Sequence, residues 1–160
     1  MSYSKSVVEP VNSIETKSQY VKQSVIAVID DCSLFMSKVG KFLEELDHRI
    51  LGIDEPMAGM GKLLDEQPQL ILLDTQMPTI DGYSVCKFLR STSSFKDVPI
   101  ILLTEYDNKS EREYATFIKA NDIFCKKSHL DNLVTMIQNH IPSSTTQEDD
   151  YSFSKNSLYA

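Results

Sequence analysis

Three carboxylates, one hydroxyl and one ammonium stand where apolar runs of the chain stop. "SVIAVID" (24–30) runs into Asp30 and Asp31, "LILL" into Asp74, "VPIILLT" into Thr104 and "DIFCK" into Lys126. Carboxylates held side by side repel one another and need a cation. Oxygen-only ligands at a partly hydrated rim favour Mg²⁺, which accepts few carboxylates and keeps several waters. One carboxylate of such a group can then act as a nucleophile toward a phosphoryl donor. The negative charge it gains would be met by an ammonium and a hydroxyl, the groups that Lys126 and Thr104 carry. A lone strand-ending Asp is ordinarily a helix cap or a turn former. Five reactive groups ending four strands of one predicted sheet are hard to read as caps.

The elements that must position these groups follow from hydrophobic period. Residues 24–30 form a continuous β-branched apolar run, the pattern of a strand buried on both faces. Phe35, Val39, Phe42 and Leu46 recur at helical spacing, with Ser33 as the expected N-cap. "RILGI" reads as a short strand. "EPMAGMGKLLDEQ" reads as a helix from near Pro56 to before Pro68. "LILL", "VPIILLT" and "DIFCK" are further strands, separated by helices over "YSVCKFLRST" and "NKSEREYATFIKA". "SHLDNLVTMIQNHI" closes as a helix with Leu130, Leu133, Val134, Ile137 and Ile141 on one face. Five strand–helix alternations imply a parallel sheet with right-handed crossovers and helices on both faces. In such sheets the reactive site lies at the carboxyl ends of the strands, where these residues fall.

"VIDD", "LLDTQMPTIDGYSVCKFLR", "PIILLT" and "NDIFCK" together resemble the receiver domain of two-component response regulators, over about residues 24–141. The resemblance implies a flavodoxin-like (βα)5 doubly wound sandwich, a stand-alone receiver and a single cofactor, Mg²⁺. It makes Asp74 the phospho-accepting aspartate, Asp31 a direct metal ligand and Asp30 its partner, which often acts through water. The backbone carbonyl of Gln76 would be the third protein ligand. Thr104 would bond the phosphoryl group and Lys126 would pair with it. Pro78, Asp81 and Gly82 match the family's turn, in which Gly82 is expected to adopt a backbone conformation that other residues resist. A histidine kinase or phosphotransfer protein would act upstream, and a protein target would read the face from about Lys109 to Asn139 downstream.

Three positions depart from the family pattern. Lys127 follows Lys126 where proline is usual, so a trans bond and a reshaped loop are expected. Glu105 follows Thr104 where a small residue is usual, and would repel anionic donors unless Lys127 neutralises it. Ile123 stands where an aromatic switch residue is usual and, being β-branched, is stiff. Tyr106 is a candidate to sit over the site in its place and, with Gln76, to influence hydrolysis of the acyl phosphate. These departures keep a phosphorylation-independent pseudo-receiver in view as the alternative. An aspartyl-phosphate phosphatase of the haloacid-dehalogenase kind fits less well, because neither "DDC" nor "DTQ" supplies its Asp-x-Asp.

The 160 residues suit one domain with a proper core. A formal net charge of -7, with no basic stripe, argues against nucleic acid as a partner. No apolar run approaches a membrane span, and no secretory signal opens the chain, so cytoplasm is the expected location. Cys32, Cys86 and Cys125 show no metal spacing and suit a reducing compartment. "AGMGKL" (58–63) fails as a phosphate loop, with Pro56 and Leu63 where Gly and Ser/Thr are needed. Residues 1–23 read as a flexible extension, and 142–160 as a disordered acidic Ser/Thr-rich tail.

Overall fold

The computed structural model describes residues 23–141. Of the two terminal readings above, all but Gln23 lies outside the described residues. Within them, strands β1 (Val25–Ile29), β2 (Arg49–Ile53), β3 (Leu70–Asp74), β4 (Ile100–Thr104) and β5 (Asp122–Cys125) alternate with helices. These are α1 (Ser33–Glu44), α2 (Pro56–Glu66), α3 (Gly82–Ser91), α4 (Lys109–Phe117) and α5 (Leu130–His140). All sheet pairings are parallel, in the order β2-β1-β3-β4-β5. The expected (βα)5 doubly wound sandwich is therefore the observed one.

Strands β1, β3 and β4 are buried along their whole length, as continuous apolar runs require. Alternate side chains feed two cores. Ala27, Ile29, Ile71, Leu73, Ile100 and Leu102 pack under Leu63 of α2, Val85 and Leu89 of α3 and Ala115 of α4. Ile26, Val28, Leu70, Leu72, Ile101 and Leu103 meet Val39 and Leu43 of α1 and Leu133 and Ile137 of α5. Helices α1 and α5 thus cover one face, and α2, α3 and α4 the other. Arg90, near the end of α3, locks the approach to β4. Its guanidinium donates to the carbonyls of Lys119, Phe95 and Val98 at 2.8, 2.9 and 2.8 Å and to Asn121 Oδ1 at 2.7 Å.

Helix starts follow local chemistry. Glu55 accepts from the Ala58 amide ahead of Pro56, Asp81 from the Ser84 amide and Asn108 from the Glu111 amide. At α1 the expected Ser33 cap is corrected: Ser33 is already helical, and Cys32 is the cap residue, with no side-chain bond of its own. Asp30 Oδ1 accepts from the amide of Cys32 itself, at 2.8 Å.

Candidate functional site

The strand order places the carboxyl ends of β1, β3, β4 and β5 along one rim. Successive backbone bonds tie these ends together. The Thr75 amide donates to the Leu103 carbonyl at 2.9 Å, and the Lys126 amide to the Thr104 carbonyl at 2.8 Å. Asp30, Asp31 and Asp74 each bring a carboxylate oxygen within 4.8 Å of the others. Asp30 and Asp74 are buried and Asp31 is exposed, so the cluster opens to water on one side.

Lys126 reaches into this cluster. Its Nζ lies 2.7 Å from Asp30 Oδ2 and 3.0 Å from Asp74 Oδ1, with the side chain 10% exposed. Phe35, read above as one of the apolar residues of its helix, lies beneath the ammonium, its ring centroid 4.8 Å from Nζ. Nothing in its spacing distinguished that duty from packing. Burial alone would lower the Lys126 pKa. Its hydrogen bonds to Asp30 and Asp74 outweigh burial and hold it above the ordinary value, so the ammonium stays charged. Burial raises the Asp74 pKa. The Lys126 hydrogen bond and the Gln76 amide work the other way, and the Asp30 charge adds to the rise.

The turn after β3 is built around contact. The Gln76 amide donates to Asp74 Oδ1 at 3.3 Å. Gly82 has no positive φ, so the expected conformational role is corrected. What Gly82 supplies is room: a Cβ there would strike the Asp74 carbonyl, 2.7 Å from its carbon, and lie 2.9 Å from Thr75 Cα. The α3 N-terminus can therefore press against the backbone that carries Asp74.

Thr104 is buried at the end of β4, and its hydroxyl is engaged with the loop. It donates to the Tyr106 carbonyl and accepts from the Tyr106 amide, both at 3.1 Å. Lys127 Nζ stands 3.7 Å from Glu105 Oε2, the neutralising contact anticipated above, and 5.0 Å from the centroid of the Tyr106 ring. Tyr106 thus lies under Lys127 and remains 58% exposed. No peptide bond among the described residues is cis. Ile123 is buried in the core shared with α4. Sequence reading also missed the bond from the Tyr83 hydroxyl to Glu111 Oε2, which joins α3 to α4. Only the fold brings those two residues together.

An acid cluster bridged by a lysine thus lies at the carboxyl edge of a five-stranded parallel sheet. The family model of the response regulator receiver domain matches residues 26–138, and the chain belongs to that family. Protein PilG of Pseudomonas aeruginosa is 25% identical over 120 residues, which are 75% of this chain and 89% of PilG. The response regulator GraR of Staphylococcus haemolyticus is 32% identical over 114 residues, 71% of this chain but only 49% of GraR. The chain thus spans about half the length of that relative. The chemotaxis protein CheY4 of Vibrio cholerae superposes with a TM-score of 0.70 at 18% identity, covering 74% of this chain and 99% of CheY4. The BeF3-activated N-terminal receiver domain of Klebsiella pneumoniae RstA gives 0.68 at 23%, covering 73% and 97%. Both structural likenesses concern the fold. Receiver domains are signalling modules that work with kinases and phosphotransfer proteins, and they typically bind Mg²⁺ at an acidic pocket. No helix among the described residues is long and apolar enough to cross a membrane.

Proposed function

We propose that this chain is a cytoplasmic receiver that takes a phosphoryl group on Asp74 from a histidine kinase or phosphotransfer protein. The observation that carries the reading is Lys126 bridging Asp30 and Asp74 at 2.7 and 3.0 Å, beside a third carboxylate. The oxygen-only donor set fits Mg²⁺, with Asp30, Asp31, Asp74 and the Gln76 carbonyl as the residues that would hold it. When bound, that ion neutralises carboxylate and phosphoryl charge. A carboxylate oxygen of Asp74 attacks phosphorus, forming an O–P bond as the P–N bond of the donor phosphohistidine breaks and its imidazole leaves, taking up a proton. Lys126 meets the negative charge of the resulting acyl phosphate, and Thr104 supplies a hydroxyl donor. To do so, the Thr104 hydroxyl gives up its bonds to Tyr106, which links phosphorylation to the loop leading into α4. A protein partner then reads the surface from α4 through β5 to α5. The self-phosphorylation and dephosphorylation of Asp74 are the only chemistry; nucleic acid and membrane are not partners.

The test uses beryllofluoride with Mg²⁺ as a phosphoryl mimic, followed by amide NMR. The expected result is shifts at Thr104 to Tyr106 and along α4 and β5, absent in Asp74→Asn. No shift would favour the pseudo-receiver, and multiple turnovers on added phosphate esters would favour the phosphatase.

A further inference from the structure

Lys127 makes two contacts that the chemistry above does not use. Its ammonium is 3.7 Å from Glu105 Oε2 and 5.0 Å from the Tyr106 ring centroid. Both contacts fall on the two residues immediately following Thr104. A third contact ties the same segment to β5, where the Cys125 thiol donates to the Glu105 carbonyl at 3.8 Å. The Thr104 hydroxyl meanwhile spends its proton on the Tyr106 carbonyl and accepts from the Tyr106 amide. Whatever steadies the Glu105–Tyr106 segment therefore also keeps that hydroxyl occupied.

We propose that Lys127 is a positioning residue that clamps Glu105 and Tyr106, and so holds the Thr104 hydroxyl on the Tyr106 backbone until Asp74 is phosphorylated. The inference rests on the reading of Asp74 as phosphoryl acceptor. The long lysine stem suits the task, because it carries one cation to both a carboxylate and an aromatic face. Lys127 and Glu105 are well exposed, with side chains 65% and 41% accessible, so each contact is individually weak. The clamp therefore tunes the rate at which the hydroxyl is released and does not forbid release.

A simple field effect makes the opposite statement about Lys127. Phosphoryl donors are anions, so loss of a nearby positive charge would slow phosphorylation if charge were all that mattered. Loss of a clamp speeds it. The experiment compares Lys127→Met, Glu105→Gln and Tyr106→Leu with the wild-type chain in two measurements. The first is solvent exchange of the residue-106 amide, made without donor or metal, with the Leu102 amide of β4 as the unaffected reference. Each variant is expected to exchange about two- to fivefold faster at residue 106. The second is the rate at which acetyl phosphate with Mg²⁺ modifies the chain, expected to rise about two- to fivefold in Lys127→Met. Unchanged exchange in Lys127→Met, or slower modification of it, would overturn the clamp. If the wild-type chain takes up no phosphoryl group, the functional reading fails, and the exchange measurement alone decides the clamp.

Discussion

Burial pushes the Asp74 carboxyl upward in pKa, Lys126 and the Gln76 amide restrain it, and Asp30 pushes further in the direction of burial. A carboxyl whose folded pKa lies above its ordinary 3.8 contributes fully to stability only below that value, and the contribution is lost as pH rises through the folded pKa. At neutral pH the ionised Asp74 is therefore a cost. With EDTA present, Asp74→Asn should be more stable than wild type at pH 7, read as a higher urea midpoint. The advantage should shrink as pH falls toward 4. Lys126 behaves in the opposite sense, because two buried carboxylates depend on it. Lys126→Met should lose roughly 3 kcal/mol in EDTA, and Mg²⁺ should restore part of that loss. Failure of Mg²⁺ to stabilise this variant would mean that the three carboxylates do not form a cation site.

The turn between β3 and α3 shows why the element scale matters. Pro78, Asp81 and Gly82 were legible as a turn through their match to the family's motif, in which Pro fixes φ. The reason for Gly82 was not legible: close approach and positive φ both ask for glycine, and only the packing of α3 on the Asp74 carbonyl separates them. Gly82→Ala should accordingly destabilise the chain by about 2–4 kcal/mol, read by thermal or urea unfolding, through a backbone clash and not through φ strain. The α1 cap was misread for a related reason. Ser33 is the better capping residue by type, but Asp30 already satisfies the Cys32 amide from the strand end, and the helix starts at Ser33, one residue earlier than capping preference suggests.

Across the whole molecule, the parallel sheet was legible because its three central strands are unbroken apolar runs, a pattern that few other placements satisfy. The acid cluster was legible because strand ends in such a sheet share one rim. Side-chain partners across that rim were harder to foresee. The neutralising contact between Lys127 and Glu105 could be anticipated from charge, whereas the Thr104 bonds to Tyr106 and the Phe35 ring under Lys126 depend on distances that no spacing rule supplies. The candidate site residues thus lie where four strands end, and the departures from the family pattern lie on the loops after β4 and β5 and, for Ile123, within β5. The most direct test of the account is intact-mass measurement after incubation with acetyl phosphate and Mg²⁺, for wild type and Asp74→Asn. A gain of about 80 Da that decays slowly in the wild type and is absent from the variant is the predicted result. An equal gain in both, or none in the wild type, would contradict the assignment of Asp74 as the acceptor.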